Sequence, residues 1–248
     1  VKAQVGFSQR IRLEWLDYTA QLVIEGHSRK EIKARLEELL KKHLSVGRDF
    51  PTIGNREKAI VILLKIWSSP PESLVEFRND GLKLLQAVSP ELRLAVHWGM
   101  TMAVYPFVAA VAEIVGRLLL LQGSVARAQV LRRLCEQLGE RETVTRAAQR
   151  VIRCFVDWGV LQDTPRKGVY QSGPVREIED ERLAAWLVEA TLIARGVTLY
   201  PLDQLVASPA LFPFRLRNIT PWAIEENGRL TVQRQGGDKD MVVAERRR

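Results

Sequence analysis

Cysteine is nearly missing from this chain, with two residues, Cys135 and Cys154, in 248. They do not stand at C-x-x-C spacing, and both fall in apolar helical patterns. Each therefore reads as a small buried hydrophobe rather than part of a disulfide framework or thiolate metal site. Histidine is scarce too: His27, His43 and His97 lie far apart, with no cysteine or carboxylate at ligand spacing, so no zinc site is expected. Nucleophile-elbow, Walker A, HExxH and glycine-rich dinucleotide patterns are all absent from the sequence. The stretch GRDFPTIGN (47–55) has glycines but neither the spacing nor the lysine of a phosphate cradle. Asp80, Glu113 and Asp157 are isolated carboxylates that spacing does not pair. No catalytic residue, cofactor, metal or small-molecule substrate is expected, and the chain reads as a non-enzyme.

Acidic charge is in deficit. There are 37 Lys and Arg against 29 Asp and Glu, a net charge of +8, with a pI near 9.8. The excess favours a polyanionic partner. It is concentrated between Arg127 and Arg176, where ten basic residues face five acidic ones, and Arg246, Arg247 and Arg248 come last.

Long apolar runs are rare. One uncharged run, Leu94 to Ala112, is just long enough to cross a bilayer. His97 near its start and Tyr105-Pro106 in its middle break that reading, because proline removes a helix donor and restricts the preceding residue. A buried helix pair is expected instead, with no membrane partner. The opening VKAQVGFSQR is polar and basic without an apolar core, so the expected compartment is the reducing cytoplasm. No fixed-period repeat or low-complexity tract occurs, and 46% hydrophobic with 27% charged residues is ordinary globular composition. At 248 residues the prior is two or three subdomains.

The patterns that are present are mostly helical. Ile11, Trp15, Tyr18 and Leu22 fall at helical spacing before Gly26, and Ser28 with Glu31 forms a capping box for a helix to about Leu44. REKAIVILLKIW (56–67) is a strongly apolar helix that Ser68-Ser69-Pro70-Pro71 ends; another runs to about Val88. Ser89-Pro90-Glu91 opens the next, as N-cap, proline at N1 and acid in the first turn. Helices are then expected over 90–104, 106–122 and 127–138, with a short SVA strand before the last. After Gly173-Pro174 an acidic start leads a helix over 179–195. PLDQLVASPALFPFRLRN holds short helices or loops, and the chain closes with a hairpin turning at Gly236-Gly237-Asp238. The expected fold is mainly α: an N-terminal helical bundle (1–88), a central winged helix (89–176), and a C-terminal helix plus β-hairpin (177–248).

The winged helix rests on TVTRAAQRVIRCFVDWG (143–159). At 100° per residue, Val144, Ala148, Val151, Ile152 and Phe155 fall on one side, while Arg146, Arg150 and Arg153 fall almost opposite. A helix that docks by one face and leaves guanidinium groups in water suits a DNA groove. No acid follows Arg146 or Arg150 at four residues; Asp157 stands four beyond Arg153, as a potential partner. Thr143, Thr145 and Gln149, at or near the same face, are small polar donors suited to phosphates and base edges. WGVLQDTPRKGVYQ then reads strand, turn, strand, with Arg166 and Lys167 on the Pro165–Gly168 turn. That order is a helix-turn-helix followed by a wing. Arg132 and Arg133 on the preceding helix are candidate phosphate clamps. Trp67, Trp98, Trp158 and Trp186 have apolar neighbours and read as core.

The layout resembles the BrxA family of BREX phage-exclusion systems. The residues that carry the likeness are WLDYTAQLVIEG, REKAIVILLKIW, the pair LRLAVHWGMTMAVYPFVAAVAEIVGRLL, TVTRAAQRVIRCFVDWGVL, LFPF at 211–214, and the closing hairpin. The C-terminal portion is longer than that family's. The resemblance implies a non-catalytic accessory protein that binds double-stranded DNA beside other defence-system proteins. The same module also serves as a transcriptional regulator with sharper base readout, or as a protein–protein adaptor that binds no DNA. Both alternatives stand at this point.

Overall fold

The computed structural model describes residues 5–44, 54–226, 228–235 and 239–244. It is mainly helical with small sheets. The helix α1 (Leu13–Ile24) buries Trp15, Leu16 and Leu22. α2 (Arg29–Lys41) opens with the expected capping box: the Ser28 Oγ accepts the Glu31 N–H at 3.3 Å, and the Glu31 carboxylate accepts the Ser28 N–H at 2.7 Å. α3 (Asn55–Leu63) continues as a π-turn, Leu64–Ser68, and stops ahead of Pro70-Pro71. α4 (Val75–Ala87) follows.

The uncharged run becomes α5 (Arg93–Val104) and α6 (Pro106–Gln122). The two bend by 118° at Tyr105-Pro106, and no single described helix is long and apolar enough to cross a membrane. His97, fully buried in α5, lies with Nε2 3.1 Å from the Asp17 carboxylate of α1. Burial pushes the His97 pKa down, and the bond to His97 draws that of Asp17 below the usual carboxylate range.

Beyond Gly123 come β1 (Ser124–Ala126), α7 (Arg127–Leu138), α8 (Glu142–Asp157), β2 (Leu161–Asp163) and β3 (Val169–Ser172). β1 and β2 both pair antiparallel with β3, giving the sheet order β1-β3-β2. The rest of the chain holds β4 (Arg176–Ile178), α9 (Glu181–Arg195), β5 (Leu199–Pro201), α10 (Leu202–Val206) and β6 (Phe214–Leu216), then α11 (Pro221–Glu225), β7 (Leu230–Gln235) and β8 (Lys239–Ala244). Asp180 caps α9 by accepting the Arg182 and Leu183 N–H groups at 2.9 and 3.0 Å. The stretch expected to hold short helices or loops also supplies β6, and β5 ends on its first residue. β5 adds to β8 of the closing hairpin, and β6 pairs parallel with β4. The expected turn at Gly236–Asp238, most of the 47–55 loop and the final arginines lie outside the described residues.

One hydrophobic cluster runs through all three spans read from the sequence. Trp98 of α5 is its hub. Its ring meets Phe155 at 4.6 Å, Trp158 at 6.0 Å, Phe212 at 5.5 Å and Phe214 at 5.9 Å, and its Nε1 donates to the Ala210 carbonyl at 3.1 Å. Trp186 of α9 stacks on Phe77 at 4.3 Å, so the four tryptophans are core residues. Cys154 is buried, its Sγ accepts the Ile11 N–H at 3.1 Å, and burial pushes its thiol pKa up to about 12. Cys135 corrects the sequence reading, since it is only half-buried.

Gly116 sets how closely α6 approaches the 209–211 turn. A Cβ there would stand 1.9 Å from the Pro209 carbonyl oxygen, a backbone atom with no rotamer to yield. Gly116→Ala is therefore expected to cost about 3 kcal/mol, at the upper end of overpacking effects. Urea unfolding reads it as a lower midpoint, and an unchanged midpoint would contradict the packing.

A second tie joins the C-terminal segment to the body. Arg229, just before β7, donates to both oxygens of Glu189 in α9 at 2.7 and 2.9 Å, and to Asp80 of α4 at 2.6 Å. Glu189 is almost wholly buried, and desolvation raises its pKa despite the guanidinium.

Candidate nucleic-acid interface

α8 docks by a wide apolar face of Val144, Ala147, Ala148, Val151, Ile152, Cys154 and Phe155, all buried. Fully apolar residues on one side and charged or amide residues on the other fix its rotation about its own axis. The opposite face carries Glu142, Arg146, Gln149, Arg150, Arg153 and Asp157 in that order. The side chains of Arg146 and Arg153 are 65% and 40% exposed, so neither is sealed against the body. The segment ahead of α1 anchors the helix's far end. Arg10 grips the Asp157 carboxylate with two nitrogens, and the Trp158 Nε1 donates to the Ile11 carbonyl at 3.0 Å.

Two partners differ from the sequence reading. Asp157 binds Arg10, whereas Arg153 reaches across to Asp163 at the end of β2, with Nη1 3.2 Å from Oδ1. Arg146 has a carboxylate after all, Glu142, one turn back instead of one turn forward. Both pairs are solvent-facing, and such pairs contribute about 0–1 kcal/mol. Each guanidinium keeps donors free beside its carboxylate for a phosphate or base edge. The Arg150 side chain has no hydrogen bond or ion pair among the described residues.

The donors beside the arginines divide. Gln149 and Thr143 are exposed, while Thr145 is half-buried at the seam with α7, its Oγ1 4.0 Å from the Cys135 Sγ. Arg132 and Arg133 stand with Glu113, Arg117 and Glu136 around the groove between α6 and α7, and Arg132 is 3.6 Å from Glu136. The structure thus gives them carboxylate company and sets them on the α6 side of the module.

The β2–β3 turn is tightly made. Val169 donates its N–H to the Arg166 carbonyl at 3.0 Å, Thr164 Oγ1 donates to the Val169 carbonyl at 2.9 Å, and Gly168 takes φ +79°. A side chain with a Cβ would be strained at that φ, which keeps the turn narrow. Arg166 and Lys167 project from it, exposed and without a carboxylate partner among the described residues. Arg127 joins them. Its N–H donates to the Gly168 carbonyl at 2.8 Å, and its guanidinium lies 3.8 Å from where a Cβ on Gly168 would stand. Sequence reading missed Arg127, because only the β1–β3 pairing carries the start of α7 to a turn forty residues on. The expected SVA strand immediately before it was the available signal.

Comparison with protein-family models, with curated proteins and with solved structures finds no match.

Proposed function

We propose that residues 106–172 form a winged helix and that the chain is a non-catalytic binder of duplex DNA. α8 enters the major groove, and the β2–β3 turn lies over the flanking backbone. The observation that carries this reading is the outward face of α8: Arg146 and Gln149 are exposed, and Arg150 and Arg153 partly exposed, on a helix whose other side is locked into the core. The order α6, β1, α7, α8, β2, β3, with β1 on the far side of β3, supports the fold. Arg127, Arg166 and Lys167 supply a second cationic point, next to the first in a single module.

A duplex places one negative charge per about 1.7 Å of axis, and neutralising those charges releases counterions. Arg127, Arg150, Arg166 and Lys167 carry no carboxylate partner among the described residues and are the phosphate contacts of this reading. A random-sequence duplex titrated across a salt series is expected to give a log K against log salt slope of about −4. A flat salt response, or no retention at low salt, favours the protein-adaptor reading. A single strong palindromic motif in a binding selection favours a transcriptional regulator. A role beside the large enzymes of a phage-defence system follows from the resemblance to the BrxA family. Neighbouring genes for a methyltransferase, a phosphatase-like protein and a large ATPase would support it.

A further inference from the structure

Two carboxylates, Glu142 of α8 and Asp163 of β2, stand against the arginine row. Each engages one terminal nitrogen of its guanidinium. Both Asp163 oxygens accept from Nη1 of Arg153, at 3.2 and 3.3 Å, and Glu142 forms an ion pair with Nη2 of Arg146. A guanidinium has five N–H donors in a rigid plane, so most of each fork stays free beside its carboxylate. Arg150, between them, has no such support. An arginine that reads a guanine must present two coplanar donors to O6 and N7, whereas an arginine on a phosphate needs only proximity.

We propose that Arg146 and Arg153 are the base-reading pair of this interface, each buttressed for guanine by its carboxylate, and that Arg150 is a phosphate contact. This rests on the duplex-binding reading above. The two readers are seven residues apart and so lie within about 20° of one another around the helix. Along the axis they are separated by about 10 Å at 1.5 Å per residue. With a rise of about 3.4 Å per base pair, the preferred site holds two guanines about three base pairs apart. Gln149, exposed between them, is in register for an adenine in that interval.

The test is a selection from a random duplex pool with the full chain, followed by titration of selected and mutated sites. Two guanines at that spacing are expected, and replacing either should weaken binding about tenfold. Arg146→Lys and Arg153→Lys keep the charge but lose the fork. Each should erase the preference at one guanine while leaving the salt slope unchanged. Glu142→Gln and Asp163→Asn should likewise flatten the preference without weakening binding to random duplex. If those carboxylates merely neutralise the row, the same two variants raise affinity equally for every sequence, which overturns the proposal. A chain that binds duplex with a steep salt slope but selects no guanine pair overturns it too and leaves duplex binding standing. A chain that retains no duplex at low salt removes both.

Discussion

Changing Arg146, Arg150 and Arg153 together to alanine is expected to weaken duplex binding about a thousandfold, while thermal stability barely moves. The two proposed base-reading forks and the proposed phosphate contact, at about 1–2 kcal/mol each, sum to roughly 4 kcal/mol, or about three powers of ten in affinity. The residual binding should come from Arg127, Arg166 and Lys167, with a salt slope flatter by about one unit for the lost phosphate contact. Stability is insulated because Arg146 is exposed, Arg150 and Arg153 are partly exposed, and none of the three belongs to the buried face. The ion pairs they lose are exposed ones, worth about 0–1 kcal/mol, and alanine is a slightly better helix former than arginine. The melting temperature should therefore stay within about 3 °C. Anisotropy titration and a thermal melt of the same preparation check both halves. A large fall in the melt would make these arginines structural and remove the ground for the interface.

α8 is legible in the sequence because one short-range rule governs it. Period 3.6 separates the side chains that the core accepts from those that water accepts, and nothing distant has to be known. The same holds for the Ser28 capping box and the proline break at Tyr105-Pro106. What is not legible depends on residues far apart in the chain. Asp157 looks like the partner of Arg153 when read along the helix, yet Arg10 takes it from 147 residues away. Asp163 becomes available to Arg153 only once β2 folds back. β4, β5 and β6 are three-residue strands, too short to show alternation. Arg127 reads as an ordinary first-turn arginine until β1 lies against β3. Even the division into three spans looks different in three dimensions, because Trp98, in the second, packs on Phe212 and Phe214 of the third.

The tie at Arg229 leads to the other large effect. Arg229→Met keeps much of the side-chain length but takes the bidentate guanidinium away from Glu189, a carboxylate that desolvation already holds above its ordinary range. Breaking a buried pair from one side costs about 3–5 kcal/mol, far more than an exposed pair. For a chain of this size that lowers the melting temperature by about 10 °C at neutral pH. The loss should depend on pH in a definite direction. With Arg229 gone, the folded-state pKa of Glu189 rises further above its unfolded value, so the folded form binds a proton more readily than the unfolded one. Stability of the variant is then greatest below the ordinary glutamate range and declines as pH rises through the raised value. The deficit against the parent chain should accordingly be smaller at about pH 5 than at about pH 7.5. Asp80, whose pKa Arg229 and Lys83 hold low, also loses stabilisation in the variant, but that part of the deficit fades only on further acidification, through the ordinary aspartate range. Adding Glu189→Gln separates the two. In the double variant the buried charge is absent, so most of the lost stability should return at pH 7.5 and the improvement on acidification should vanish. If Arg229→Met melts at the parent temperature at both pH values, the C-terminal segment is not held to α4 and α9 by this cluster. In that case apolar contacts such as Leu230 and Val242, both buried, must hold it instead.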